Sequence, residues 1–316
     1  MSDFKKLIWP IDPGESTKEM DHAMLKYFKS MSQAYNIEVQ PVYVLSAHFF
    51  ITGEYFQSID SEILMKTMTK ECEDYLQYFK DYVKNPVHVI DNHYSTNGME
   101  VSLFDGFTKE YQPDFVVMAS HSREGWSRGF LGSFTESFLL TSEFPVMVVG
   151  KEFDGKGDFN KALMPVELNQ SSQKFLEQFL DDHRLSFLQS LTLFHKISMI
   201  DLEDISWAPT LYGLSDFNSH DIVKKAYETT QEFFEAFLDH PLSQKRLNYV
   251  ISDELSSVTE SIEKQLSAGD YGLLVMRSDS GTLSTNFLGS ITRDVIRKSK
   301  VPVVIYPHNF PLTKTS

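Results

Sequence analysis

The chain has 316 residues, about twice the length of a common domain, so two domains are the first expectation. Hydrophobic residues make up 41% and charged residues 23%, a balance that is typical of folded globular proteins and excludes a disordered chain. The net charge of −15 repels phosphate backbones and anionic lipids, so we expect neither a nucleic-acid partner nor a membrane partner.

The cysteine content and the first residues bear on the cellular compartment. Cys72 is the single cysteine, so it permits no internal disulfide and fits a reducing environment. Its place between Met68 and Tyr75 on a predicted helix favours a packed or partly exposed thiol over a nucleophile. The N-terminal residues lack the apolar run of a signal peptide, and no stretch approaches about 18 apolar residues. We therefore expect a cytoplasmic protein.

In the first half of the chain, short apolar runs alternate with amphipathic segments. Strands are predicted at 7–11, 39–45, 87–90, 115–119 and 146–149. Helices are predicted at 18–35, at 62–83, at 99–111 and from 133 to before Pro145. Pro41 is expected near the start of the second strand, because proline cannot donate to a strand ladder.

The second half repeats this order. Strands are predicted at 162–166, 191–195, 247–251, 273–276 and 303–306, and helices from 171, at 222–238, at 257–266 and from 290. Such alternation predicts a parallel sheet covered by helices on both faces. Because ligands bind such sheets at the carboxyl ends of the strands, where the strand order reverses, the loops after the first and fourth strands are the candidate site.

Two parts of the chain also repeat each other in sequence. At a shift of 157 residues, the Phe-Leu-Gly-Ser of 130–133 falls on that of 287–290, and eight of the seventeen positions from 130 to 146 match. Near the start, residues 6–12 align with 161–167 at a shift of 155. A period this long indicates duplicated domains. We predict domains at 1–152 and 158–316, joined by a polar, glycine-bearing segment, and call them the first and second repeats.

Three features together resemble the universal stress protein family. They are a first strand ending in Pro-Ile-Asp12, a Gly132-Ser133 pair after the fourth strand, and a last strand that opens with Pro-Val-Met-Val-Val at 145–149. The resemblance covers nearly the whole chain twice, as in tandem members of the family. It implies an α/β fold of two Rossmann-like (HUP-type) domains, each a five-stranded parallel sheet flanked by helices, arranged as an intramolecular pseudo-dimer.

Nucleotide-binding members of the family carry Gly, two residues, Gly, nine residues, then Gly and Ser or Thr. In the first repeat Ala119 and Ser122 replace the two early glycines, whereas Gly132 and Ser133 are kept. Such glycines let backbone N–H groups approach a phosphate closely. The candidate nucleotide-binding residues that the resemblance implies, with their loop neighbours, are Asp12 for adenine, Val44 for a backbone contact, Ala119, His121, Ser122, Arg123, Gly132 and Ser133.

The second repeat departs further from the motif. Its degenerate site comprises Glu167, Met276, Asp279, Gly289 and Ser290. Met276 and Asp279 are aligned with the two early glycines, and a carboxylate there repels phosphate by about 3 kcal/mol at ~5 Å and an effective dielectric of 20. We therefore expect ATP, where it binds, to bind the first repeat.

The sequence predicts a non-enzymatic stress-response or regulatory protein with degenerate nucleotide-binding loops, no metal and no cofactor of its own. The alternative is an ATP-binding protein, or slow ATPase, that uses the first repeat, and a third reading is a metabolite sensor. The aromatic segment 207–212 could line a pocket or pack against a partner.

The strands at 146–149 and 303–306 are strongly apolar, and an uncovered apolar edge invites aggregation. We therefore expect self-association through these two final strands. A homodimer and an unidentified protein partner are further expectations.

Overall fold

The structure is a computed structural model that describes residues 4–13, 18–32, 36–45, 61–92, 99–120, 133–153, 158–180, 182, 184, 186–197, 219–238, 246–278 and 289–307. In these residues, strands and helices alternate in the order that the sequence predicts. The strands are β1 (Phe4–Pro10), β2 (Asn36–Val44), β3 (His88–Ile90), β4 (Phe115–Ala119), β5 (Val146–Val149), β6 (Lys161–Pro165), β7 (Ser190–Lys196), β8 (Arg246–Ser252), β9 (Leu273–Arg277) and β10 (Val303–Tyr306). The helices are α1 (Lys18–Ser32), α2 (Ser61–Leu76), α3 (Glu100–Tyr111), α4 (Ser133–Thr141), α5 (Gln170–Leu180), α6 (Ser219–Leu238), α7 (Val258–Ala268) and α8 (Ser290–Lys298).

Contacts divide the chain into two compact units. Unit 1 comprises Met1–Lys156 and Arg277–Phe310, and unit 2 comprises Gly157–Met276 and Pro311–Ser316. Unit 1 therefore contains α8 and β10, which the sequence assigns to the second repeat. The domain boundaries at 1–152 and 158–316 stay a prediction.

The sheet of unit 1 has the order β3-β2-β1-β4-β5-β10. The pairs from β3 to β5 are parallel, and β10 runs antiparallel to β5. The chain moves outward from β1 to β3 and then returns to β4 on the other side of β1, so the strand order reverses between β1 and β4. The β5–β10 ladder gives each of these two apolar strands a neighbour along the edge where they meet.

In unit 2, the strands β9, β6, β7 and β8 are neighbours in that order and run parallel. This order reproduces β4-β1-β2-β3 of unit 1, and its reversal again lies beside the first strand, between β6 and β9. The strands next to this reversal are apolar and buried, because both faces of such a sheet carry helices.

Local side-chain bonds fix two of the helix starts in unit 2. Ser257 precedes α7, where its hydroxyl accepts from the Glu260 backbone N–H at 3.2 Å and the Glu260 carboxylate accepts from the Ser257 N–H at 2.9 Å. This is a reciprocal capping box. At α5 the side-chain oxygen of Asn169 accepts from the backbone N–H of Ser172 at 2.7 Å. Both caps satisfy backbone donors that a helix start leaves open.

Two predicted details of the first repeat are wrong. The helix expected at 62–83 ends at Leu76 and passes into a 3-10 turn at Gln77–Phe79, after which the chain turns while Phe79 and Val83 stay buried. Pro41 lies in the middle of β2, not near its start. The ladder between β2 and β3 begins at Val42, so no β3 residue pairs with the proline nitrogen.

Candidate functional site

The first repeat brings three candidate elements to the carboxyl edge of its sheet. Asp12 follows β1 directly and is exposed, and Ala119 ends β4, the neighbouring strand across the order reversal. The edge is held by backbone bonds: the Ile11 N–H donates to the Val42 carbonyl at 2.8 Å, and the Ser120 N–H donates to the Val149 carbonyl at 2.9 Å. The predicted helix that follows the loop is present as α4. Asp12 and Ala119 therefore lie where the sheet topology expects a ligand.

The remaining first-repeat candidates divide into two groups. Val44 ends β2 and is half-buried, and Ser133 begins α4, whose N-terminus carries the positive end of the helix dipole. The other four, His121, Ser122, Arg123 and Gly132, lie outside the described residues, as does the aromatic segment 207–212.

Two buried side chains respond to the charge of Asp12. Burial, followed by the negative charge of Asp12, raises the pKa of the Tyr43 hydroxyl well above its usual range. The same two causes, in the same order, raise the pKa of the Cys72 thiol to about 12. Both groups therefore stay protonated at physiological pH. Cys72 is completely buried, so of the two placements that its sequence context left open, packed or partly exposed, the structure has the packed one.

In the second repeat, the acidic residue after the first strand belongs to a helix-cap turn. Glu167 is exposed after β6, and its carboxylate accepts from the Asn169 side-chain amide at 3.0 Å. Asn169 is also the residue that caps α5. The carboxylate that matches Asp12 is thus engaged with a residue of its own turn.

Sequence reasoning missed two residues at the end of β7. Pro165 faces Phe194 as Pro10 faces Val42, so His195 and Lys196 take the places of Tyr43 and Val44. The two second strands share no sequence match at these positions, and only their ladders reveal the equivalence.

Both residues donate to backbone carbonyls. The buried His195 Nδ1 lies 2.8 Å from the Val166 carbonyl oxygen and so carries the proton of this hydrogen bond. The Lys196 ammonium donates to the carbonyls of Ile197, at 3.2 Å, and of Glu254. The Lys196 ammonium therefore binds two backbone carbonyls at the carboxyl edge of the second repeat.

The ladders correct the sequence alignment of the fourth strands. Ile8 in β1 faces Val116 in β4, and its equivalent Leu163 in β6 faces Leu274 in β9. Val116 and Leu274 are 158 residues apart, whereas the loops were aligned at 157. The connection from β9 to α8 is therefore one residue shorter than that from β4 to α4.

This shift changes which residues stand at the early glycine positions of the second repeat. Arg277, not Met276, is the counterpart of Ala119, and Met276 is a buried residue inside β9. Asp279, the predicted counterpart of Ser122, lies outside the described residues. The second repeat thus has a long cationic side chain where the motif has its first glycine.

Gly289 acts as an ordinary helix start. Its φ of −54° and ψ of 145° are open to any residue, and its carbonyl accepts from the Arg293 N–H at 3.1 Å. Ser290 begins α8 and is exposed. These features fit a cap for α8 and need no phosphate to explain them.

The described residues contain no group of three or more His, Cys, Asp or Glu side chains that could hold a metal ion. Among the helices that the structure describes, none is long and apolar enough to cross a membrane.

The parallel sheets with helices, and the order reversal beside the first strand of each repeat, define a protein of the Rossmann-like α/β class. The sequence model of the universal stress protein family matches residues 3–150 and again 158–307, so the chain belongs to this family. The two matches confirm the tandem arrangement expected from the sequence. No curated protein matches the chain.

Solved structures share the fold over nearly the whole chain. A universal stress protein from Archaeoglobus fulgidus superposes with a TM-score of 0.54 at 16% identity, covering 96% of both chains. A functionally unknown protein from Pseudomonas aeruginosa superposes with a TM-score of 0.54 at 10% identity, covering 96% of this chain and 93% of its own. These likenesses confirm the predicted fold class of two tandem Rossmann-like repeats.

Proposed function

We propose that the chain is a non-enzymatic regulatory binding protein of the cytoplasmic stress response, with nucleotide-binding loops that have degenerated. The observation that carries this proposal is the end of the fourth strand in each repeat. Ala119 and Arg277 place side chains where the motif needs a glycine, and each belongs to a strand of the sheet. Because a strand residue cannot move its Cβ aside, the backbone there is shielded from close contact with phosphate.

The chemistry around Asp12 supports a protein without catalysis. General acid–base catalysis needs a group whose pKa lies near the working pH. Near Asp12, Tyr43 and Cys72 have raised pKa values and stay protonated, so neither supplies an anionic base or nucleophile. In the part of the site that the structure describes, we therefore assign binding rather than bond cleavage.

The second candidate function is ATP binding by the first repeat, with slow ATPase activity as its extension. The positions of Asp12 after β1 and of the α4 N-terminus after β4 favour it, because both belong to one carboxyl edge. The second repeat is less suited, since the Lys196 ammonium already binds two backbone carbonyls at the matching edge.

We further propose that the protein has no resident cofactor. We also propose that it binds an unidentified protein partner and forms a homodimer. The net charge of −15 argues against nucleic acid and anionic membranes as partners.

Calorimetry tests the two candidate functions directly. Full-length protein is titrated with ATP, AMP and a cyclic nucleotide, and the released phosphate is measured over hours with ATP and magnesium. A degenerate site predicts no heat at millimolar nucleotide and no phosphate above the buffer rate. Saturable heat with ATP supports the second candidate, and phosphate release that follows ATP occupancy overturns the non-enzymatic assignment.

A further inference from the structure

The antiparallel ladder of β5 and β10 is centred on a pair of equivalent residues. Met147 faces Val304, and Val148 faces Val303. Met147 and Val304 are 157 residues apart, the shift that relates the last helix and strand of the two repeats. Exchanging the two repeats therefore maps this ladder onto itself, and its centre is a local two-fold axis within unit 1.

An ion pair joins another pair of equivalent residues near this axis. Arg293 Nη2 on α8 lies 2.7 Å from Glu136 Oε1 on α4, and the two residues are again 157 apart. Their side chains are 29% and 14% exposed, so both charges are largely removed from water. Here the first repeat presents a negative charge and the second repeat a positive charge.

The surroundings of this ion pair are alike in the two repeats. The strands that follow the two helices, β5 and β10, are both fully buried and apolar. The turn before each strand is built in the same way: the Ser142 hydroxyl accepts from the Phe144 N–H at 3.0 Å, and the Ser299 hydroxyl accepts from the Val301 N–H at 3.2 Å. Backbone pairing and apolar burial therefore discriminate little between a like and an unlike partner.

We propose that Glu136 and Arg293 determine which surfaces pair. The α4–β5 surface of a first repeat takes the α8–β10 surface of a second repeat and rejects a copy of itself. Pairing two first repeats would place two Glu136 carboxylates together at the axis, and pairing two second repeats would place two Arg293 guanidinium groups together. Like charges in a largely buried setting have no compensating partner, so both arrangements are disfavoured.

A double-mutant cycle on the full chain measures this effect. Native-state hydrogen exchange of the β10 amides reports opening of the β5–β10 ladder. Arg293→Glu or Glu136→Arg alone should raise the opening equilibrium constant by at least about tenfold, since each places like charges together. The double variant should return within about threefold of wild type. A double variant that opens as much as the product of the two single effects would overturn the proposal.

Partner choice is tested by refolding the two single variants together. The Arg293→Glu chain carries glutamate at positions 136 and 293, and the Glu136→Arg chain carries arginine at both. If the two chains exchange second repeats, each contact between positions 136 and 293 pairs a glutamate with an arginine. Native mass spectrometry of an isotopically distinguished mixture at low salt should give mixed dimers in at least about tenfold excess over either self-dimer. Chains that stay unassociated, or that combine at random, contradict the assignment.

The Lys109–Glu143 ion pair supplies a matched control. Its atoms lie 3.1 Å apart, and it joins α3 to the turn after α4 within the first repeat. Lys109→Glu and Glu143→Lys, mixed in the same way, should give no excess of mixed dimers, and an equal excess would show that any reversed pair suffices.

If a charge-reversed variant does not fold, a double-mutant cycle with uncharged glutamine tests the same proposal. With Glu136→Gln and Arg293→Gln, each single variant should open more than the double variant, because a lone buried charge costs more than none. A double variant that opens more than either single variant contradicts the proposal.

Discussion

The hydroxyl of Tyr75, on α2, donates a hydrogen bond to the carboxylate of Asp21, on α1. Both residues are buried, and Tyr75 also packs edge-on against Phe79 with ring centroids 5.3 Å apart. Tyr75→Phe keeps the ring and removes the donor, so it should lower the free energy of unfolding by about 1.5–3 kcal/mol, the range for hydrogen bonds to charged groups. Urea unfolding followed by circular dichroism measures the loss.

Tyr78→Phe is the control for this loss. Tyr78 is 64% exposed, and the Lys18 ammonium lies 3.6 Å from its ring centroid, a contact that the substitution keeps. We expect a change within about 0.5 kcal/mol. If Tyr75→Phe and Tyr78→Phe lower the free energy of unfolding equally, the hydrogen bond from Tyr75 to Asp21 does not account for the loss.

Gly150, which follows β5, allows the end of α8 to approach the backbone closely. A Cβ at this position would lie 2.8 Å from the Ile296 carbonyl oxygen and 3.2 Å from that of Ser299. Gly150→Ala should therefore lower stability by about 1–3 kcal/mol, because backbone atoms must shift. Gly106→Ala is the opposite case. Among the described residues, no atom beyond its own helix backbone and chain neighbours lies within 4 Å of a Cβ at this position, and alanine favours the interior of α3 by about 0.5–1 kcal/mol.

Calorimetric melting temperatures separate these two substitutions. Gly150→Ala should melt below wild type and Gly106→Ala above it. If Gly150→Ala melts at or above wild type, the close approach to α8 does not constrain this position.

Alkaline pH should destabilise the protein through Tyr43 and Cys72. The folded pKa of each group is raised, so at high pH the unfolded chain loses protons that the folded chain keeps. The stabilisation is complete below the unfolded pKa, near 9 for the thiol and 10 for the phenol, and is lost as pH rises toward the folded values. Urea midpoints should fall from pH 9 to pH 11, and the fall should be smaller in Cys72→Ala and Tyr43→Phe. A slope that both variants leave unchanged would rule these groups out.

Much of the fold was predictable because the local patterns and the global topology agree. For example, apolar runs that follow a proline mark both β5 and β10. The end of α2 was not predictable from periodicity, because Phe79 and Val83 are buried and continue the apolar pattern after the backbone has left the α-helix.

The sequence predicted the candidate site, except for the length of the connection between the fourth strand and the next helix in the second repeat. Asp12 and Ala119 follow apolar strands, so their places at the carboxyl edge came from the sequence. Arg277 was missed because the clearest sequence matches between the repeats come after this connection. Those matches do not show that the connection is one residue shorter in the second repeat. The ladders between β1 and β4 and between β6 and β9 reveal it.

We expect nucleotide, where it binds, to bind the first repeat. Ser122→Gly should strengthen ATP binding several-fold, because a glycine allows close backbone approach to phosphate. Gly132→Asp should weaken it at least about a hundredfold, since a carboxylate ~5 Å from a phosphate charge costs about 3 kcal/mol at an effective dielectric of 20. Titration calorimetry with ATP measures both changes.

Gly289→Asp is the matched control, because Gly132 and Gly289 precede α4 and α8 at equivalent positions of the sequence repeat. It places the same carboxylate at the start of α8, beside a loop that has Arg277 at the first glycine position and Asp279 two residues on. ATP affinity should stay at the wild-type value in this variant. If Gly132→Asp leaves the binding heat unchanged while Gly289→Asp removes it, the nucleotide binds the second repeat and the assignment to the first is wrong. Absence of heat in the wild type at millimolar ATP would instead favour the degenerate site over ATP binding, because neither repeat then holds the nucleotide.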